Sequence, residues 1–213
     1  MGDIDTLIQR ICIYALPVLF AITLHEAAHA YAARRFGDNT AYMMGRMTLN
    51  PLKHIDPIGT VLLPLLSMMT SGFLFGWAKP VPVNFGALRN LRSGMRWVAA
   101  AGPLANLAMA VMWVLLFKLA ASMDNSYAQP LALMSRAGIN INVVLMVLNL
   151  MPILPLDGGR IVESFLPAGM AYKYSRLEPY GMWVLLALVV TGLLTPILSP
   201  FINMVYHLLG IFF

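Results

Sequence analysis

The stretch that decides the reading is His25-Glu26-Ala27-Ala28-His29, which spells H-E-x-x-H. On a helix, side chains four residues apart share one face, one turn above the other. Two imidazoles so placed can hold one metal ion, and Glu26 beside them can reach a water on that ion. The flanks sharpen the motif. Residues 11–24 carry no charge, and Ala30-Tyr31-Ala32-Ala33 extends the apolar run to Arg34-Arg35. A glutamate and two histidines therefore lie inside a segment apolar enough to span a bilayer. Ionisable groups there are costly and mark function. In a soluble chain the five-residue pattern often arises by chance. Within lipid, the bland reading leaves three polar groups buried for no purpose.

The composition agrees. Of 213 residues, 60% are hydrophobic and 11% charged, whereas a soluble domain carries about 25% charged residues. This is an integral membrane protein, and residues 1–213 form one domain by length. The 14 Lys+Arg outnumber the 9 Asp+Glu. No basic run interleaves with aromatics, so the excess fits basic cytoplasmic loops and not nucleic-acid binding. The single Cys12 excludes an internal disulfide. It lies in an apolar run and tells little about redox compartment. The N-terminus, Met1-Gly2-Asp3-Ile4-Asp5-Thr6, is acidic. A secretory leader begins basic, so the first apolar stretch is expected to remain as a spanning helix. Gly2 and Thr6 also fit the loose myristoylation pattern, but a multi-span protein gains nothing from one acyl chain.

Along the chain the pattern predicts an all-α polytopic membrane protein. About five to six apolar segments are expected, with one re-entrant segment and short membrane-surface β-strands. Segment one runs from about Ile11 to Phe36 and ends at Gly37-Asp38-Asn39. Residues 40–56 are mixed in polarity and suit a short hairpin at the membrane surface. Residues 57–78 are uncharged but interrupted by Pro57, Gly59, Pro64, Gly72 and Gly76. Lys79-Pro80-Val81-Pro82-Val83-Asn84-Phe85 alternates with two prolines and reads as an extended edge strand. Trp97–Phe117 is segment three, with small residues at 99–102 that let helices approach closely. Segment four runs from about Ala137 to Leu156. C-terminal helices are expected over about 179–213, divided near Thr195-Pro196 and Ser199-Pro200.

Catalytic zinc usually takes three protein ligands and keeps one position open. The candidates for the third are His54, Asp56, Asp157, Glu163 and His207. Asp157 is best placed. It ends an apolar segment on a proline-rich turn, and Gly158-Gly159 behind it allow close backbone approach. A helix N-cap is the competing role for Asp157, and the two roles are compatible.

At this point the residues resemble a family. The HExxH stretch stands in the first apolar segment and Gly102-Pro103-Leu104-Ala105-Asn106 in the third. Asn149 is followed by Leu156-Asp157-Gly158. Together, over roughly residues 10–165, these resemble the site-2 protease family of intramembrane zinc metalloproteases, in its compact prokaryotic branch without a PDZ or CBS domain. The resemblance implies one Zn2+ per chain held by His25, His29 and Asp157, with Glu26 catalytic. It implies that Asn149 helps hold substrate or the transition state. It also implies a membrane-spanning protein as substrate in regulated proteolysis. The chain begins directly with the HExxH helix, without the extra leading helix of some relatives.

His54 and Asn106 are motif-adjacent candidates for substrate contact. Val81 and Val83 join them if the 81–85 stretch clamps an unwound substrate by strand addition. Two other functions compete: an intramembrane zinc transporter, and a non-catalytic metal-binding membrane protein. A transporter needs more polar residues along a path than four histidines supply. The complete HExxH and LDG motifs oppose a non-catalytic relative. Basic residues set the side. Arg34 and Arg35 belong in the cytoplasm, so the site is expected toward the cytoplasmic face of the cell membrane.

Overall fold

The computed structural model describes residues 2–62 and 79–210. Its architecture is helical. Helix α1 (Gly2–Arg35) leads into the short α2 (Thr40–Met43). Single turns follow at Pro51–Lys53 and Phe85–Ala87, with a wide π turn at Pro57–Leu62. Two long helices, α3 (Leu91–Ala121) and α4 (Ala128–Asn149), form an antiparallel hairpin. The chain closes with α5 (Asp157–Phe165), α6 (Ala168–Ser175), α7 (Glu178–Val190) and α8 (Leu194–Gly210).

Among the described residues, three helices are long and apolar enough to cross a membrane: residues 8–35, 91–121 and 128–149. The pair α7–α8 makes a fourth candidate, bent by 90° at Thr191–Leu193. Several apolar helices in one chain make this a multi-pass membrane protein. The expected five to six apolar segments reduce to three or four candidate spans. The expected re-entrant stretch is described only at 57–62, and residues 63–78 lie outside the described part.

Local chemistry explains the helix limits. Gly37 adopts φ +111, which only glycine takes without strain. It lets the Asp38 N–H reach Ala33 O and the Gly37 N–H reach Arg34 O, closing α1 with a Schellman cap. Asn90 starts α3 by accepting from the Ser93 N–H. Helix α4 begins nine residues earlier than its uncharged stretch predicted and runs through Arg136. The guanidinium of Arg136 lies 5.1 Å from the Phe117 ring centroid, which gives the cation a partner on α3. It stops at Asn149, short of Leu156, where Pro152 and Pro155 cannot continue a helix.

The main core joins α3, α4 and α8 through Trp113, Val143, Met146, Leu198 and Val205. A second cluster joins the end of α1 to the entry of α3 through Ala33, Leu88, Met95 and Val98. The Arg89 N–H donates to Phe36 O at 2.9 Å. Residues 37–90 thus leave and return at one end of the molecule, where α4 also delivers Asp157.

Among the described residues there is no β-strand, which corrects the expected surface strands. Residues 40–56 form helical turns in place of a hairpin. Residues 79–84 are extended, but side chains and single carbonyls hold them where a strand ladder was expected. His54 O accepts from the Lys79 N–H, and Arg46 donates to Lys79 O and Pro80 O. The Glu26 carboxylate accepts from the Val81 N–H, and that of Asp38 from the Asn84 N–H. Two prolines remove two of the donors a ladder would need.

Candidate metal centre

His25 and His29 lie one turn apart on α1, 7% and 8% exposed. Their outer nitrogens are fixed first. His25 Nδ1 lies 2.6 Å from Asn106 Oδ1, and His29 Nδ1 lies 2.7 Å from Val98 O. Both partners are acceptors only, so each Nδ1 carries the proton and donates. Each Nε2 therefore keeps a lone pair. The two Nε2 atoms stand 3.0 Å apart. With no proton between them, that spacing is a convergence of two ligand atoms.

Asp157 completes the convergence. Its Oδ2 lies 3.3 Å from His25 Nε2 and its Oδ1 3.4 Å from His29 Nε2. Asp157 is the first residue of α5, and no side chain caps that helix end. The carboxylate faces the histidines, and its buried Oδ2 has no hydrogen-bond partner. An anion is the form that binds a metal.

The set fits zinc. Ligand atoms about 2.0–2.1 Å from a tetrahedral ion lie about 3.3 Å from one another, close to the 3.0 Å between the two Nε2 atoms and the 3.3 and 3.4 Å from them to the two carboxylate oxygens. Space is reserved as well. A Cβ on Gly102 would stand 2.6 Å from His25 Nε2, so only glycine leaves room beside the nitrogens. Val98, Gly102 and Asn106 fall four residues apart on one face of α3 and supply a carbonyl, a gap and an amide. The glycine pair behind Asp157 serves the approach. A Cβ on Gly159 would stand 2.6 Å from Leu154 N, so α5 folds directly beneath the 150–156 turn.

Among the described residues, His25, His29 and Asp157 form one metal-binding group. The other candidates lie elsewhere. Asp56 caps the Ile58 and Gly59 N–H groups. Glu163 pairs with Arg160 at 3.1 Å, and Arg160 also grips Glu178. His207 is exposed on α8.

The expected substrate contacts are placed as follows. Asn106 is fully buried behind His25, where its amide also donates to Asn142 Oδ1 at 2.9 Å. It faces His25. His54 is fully buried too, with Nε2 2.9 Å from Thr48 O. The Asn106 amide is bonded internally, whereas the buried His54 Nδ1 has no hydrogen-bond partner. The Val81 side chain packs with Ala30, Ala41 and Met47, and Val83 against the Ala33–Val98 cluster. The Val81 side chain is buried and that of Val83 half-buried. The Asn149 amide donates to Leu145 O of its own helix at 2.9 Å. Sequence reading missed Asp38, 1% exposed, and Arg46 as anchors of the 79–84 segment. Asp38 sat in the turn that ends segment one and Arg46 in the expected surface hairpin.

Comparison with known proteins follows the same line. The profile of Peptidase family M50 matches residues 118–192, which hold Asn149 and Asp157 but not the HExxH stretch. The chain is 40% identical over 192 residues to "Putative zinc metalloprotease YwhC" of Bacillus subtilis, covering 88% of this chain and 84% of that protein. It is 35% identical over 190 residues to "Putative zinc metalloprotease Rip2" of Mycolicibacterium smegmatis, covering 88% and 69%. Its identity to the Rip2 of Mycobacterium tuberculosis is 29% over 194 residues. No solved structure matches. Likeness of this extent to the Bacillus protein places the chain in peptidase family M50, and zinc is accordingly the metal that its two imidazoles and one carboxylate are spaced to hold.

Proposed function

We propose that the chain is an intramembrane zinc endopeptidase that cleaves a membrane-spanning protein within or near the bilayer, in one domain spanning residues 1–213. One observation carries this reading: two imidazoles and a carboxylate converge in a largely apolar bundle, with Glu26 beside the first imidazole. His25, His29 and Asp157 hold the metal. Bound zinc supplies Lewis-acid chemistry, acidifying a water and polarising the scissile carbonyl.

The protein's own groups do the rest. Glu26 takes the proton from the attacking water and returns it to the leaving amine. Its Oε2 is held by the Val81 N–H at 2.7 Å, which leaves Oε1 to face the water. Asn149 donates a hydrogen bond to the developing oxyanion or to substrate main chain. A substrate helix hides its carbonyls in internal bonds and must unwind first. The extended 79–84 segment beside Glu26 offers the unwound strand main-chain partners. Arg34 and Arg35 end α1 about 8 Å beyond His29, at about 1.5 Å per residue. The positive-inside rule puts that end, and hence the site, toward the cytoplasm of the cell membrane.

The test is the Glu26→Gln protein, purified from membranes. It should retain about one zinc per chain and carry an uncut membrane-protein substrate that the parent protein cleaves in reconstituted vesicles. Cleavage by Glu26→Gln would remove the base assignment. Absence of cleavage by the parent of anything so retained would remove the protease reading.

A further inference from the structure

A line of buried amides runs away from the metal centre through three helices. His25 on α1 meets Asn106 on α3, and Asn106 meets Asn142 on α4. The Asn142 Nδ2 then donates to Gly138 O at 2.8 Å. Asn106 and Asn142 are both 0% exposed. Two amides buried at membrane depth are expensive unless their bonding is complete. Packing alone gives no reason for asparagine at either position.

The chemistry of the last group decides the direction of the line. Gly138 O is a carbonyl and only accepts. Asn142 must therefore turn its NH2 toward Gly138 and its oxygen toward Asn106. Facing an oxygen, Asn106 must turn its NH2 toward Asn142, where the Nδ2–Oδ1 distance is 2.9 Å. Ala21 O, another acceptor, lies 3.4 Å from the same Nδ2 and favours the same orientation. The Asn106 oxygen is then left for His25, at 2.6 Å from Nδ1. An oxygen there demands Nδ1–H, and Nδ1–H leaves Nε2 bare. A flipped Asn106 would present NH2 to Nδ1 and favour the Nε2–H tautomer, which cannot bind a metal until it loses that proton.

We infer that Asn142 is a positioning residue for the zinc site: through Asn106 it fixes which nitrogen of His25 is free to bind the metal. Asn142 touches neither substrate nor metal. It converts a fixed main-chain carbonyl on α4 into a fixed tautomer on α1. The inference rests on the reading of His25 as a ligand through Nε2.

Zinc affinity, measured by chelator competition on the purified full-length protein, tests it independently of turnover. Partners of this kind behind a ligand typically change metal affinity by about 10–100-fold. Asn142→Leu removes the acceptor that orients Asn106, and Asn142→Ser draws the side-chain oxygen back out of its reach; each should weaken zinc binding about tenfold or more. Asn142→Asp keeps an acceptor of the same reach and should stay within about threefold of the parent. The cobalt-substituted protein supplies a second reading. Its visible absorption bands should shift in the Leu and Ser variants and hold in the Asp variant. If Asn142→Leu does not fold, the contrast between Ser and Asp decides. Parent-like zinc affinity in the folded Leu or Ser variant, or equal loss in Ser and Asp, overturns the inference. His25→Ala is the separate control: zinc retention there would remove the ligand reading itself, whereas zinc loss there with full affinity in Asn142→Ser would remove only the role of Asn142.

Discussion

The main-chain N–H of Val81 donates to the carboxylate of Glu26 across 2.7 Å. The side chain proposed as base is thus oriented by a segment 55 residues away that has no catalytic side chain of its own. A hydrogen bond to a charged group contributes about 1.5–3 kcal/mol. Val81→Pro deletes this donor while suiting an extended backbone already flanked by Pro80 and Pro82. Cleavage should fall about tenfold or more with zinc content unchanged. Val81→Ala retains the N–H and should keep most of the activity. Full activity in a zinc-loaded Val81→Pro protein would mean that Glu26 needs no such hold.

Gly102 tests the space around the nitrogens. Alanine favours a helix over glycine by about 1 kcal/mol, so Gly102→Ala should not harm α3. Its new methyl would nevertheless stand 2.6 Å from His25 Nε2. The expected outcome is a folded protein, helical by circular dichroism, with zinc lost or bound at least tenfold more weakly. Equal zinc affinity would show that the imidazoles bind the metal from another position.

Much of this site was readable in the sequence because its chemistry is local. HExxH needs only the helical period to place two imidazoles together, and the proline–glycine turn marks Asp157 as a residue brought back toward another element. What could not be read was which polar residues face one another across helices. Asn106 and Asn142 are 36 positions apart, and their facing depends on the rotation of α3 against α4. Asn106 therefore looked like a substrate contact. The prolines of the 79–85 stretch marked it as unfit for a helix interior, and only Phe85 enters a helical turn. The partners of the stretch were hidden because they are the side chains of Glu26, Asp38 and Arg46 and the carbonyl of His54, and no period announces such contacts.

Asp38 is the strongest of those hidden anchors. Its Oδ1 accepts from the Thr40 N–H at 2.9 Å and the Thr40 hydroxyl at 2.5 Å, and its Oδ2 from the Asn84 N–H at 2.7 Å. Asp38→Ala leaves these donors unmatched and should cost about 2–3 kcal/mol, seen as a lower thermal midpoint. It should also free the 79–84 segment and reduce cleavage while zinc stays bound. A variant with unchanged midpoint and activity would make the anchoring dispensable.

Asn149 poses a sharper question, because its amide already donates to Leu145 O. One N–H of that group remains for a substrate. Loss of an oxyanion donor costs about 10²–10³ in rate. Asn149→Leu should therefore keep zinc and lose cleavage by about that factor, mainly in kcat. Full activity would return Asn149 to a purely helical role.

The side of the membrane follows from a shared end. Phe36 O accepts from the Arg89 N–H, and His54 O from the Lys79 N–H. Arg34, Arg35, Lys53 and Arg92 therefore cluster at one end of the bundle, with Asp157 delivered to the same end. The turn at 122–127 lies at the far end of α3, about 45 Å away along a 31-residue helix at about 1.5 Å per residue. The positive-inside rule predicts that the basic end faces the cytoplasm. In a Cys12→Ser background, Lys53→Cys and Arg92→Cys should react with an impermeant thiol reagent only from the cytoplasmic face. Asp124→Cys, exposed in the far turn, should react only from the opposite face. Lys53 and Arg92 labelling from different faces would mean that the intervening chain crosses the bilayer once. The shared end would then be lost, and with it the argument that brings Asp157 to the depth of His25 and His29.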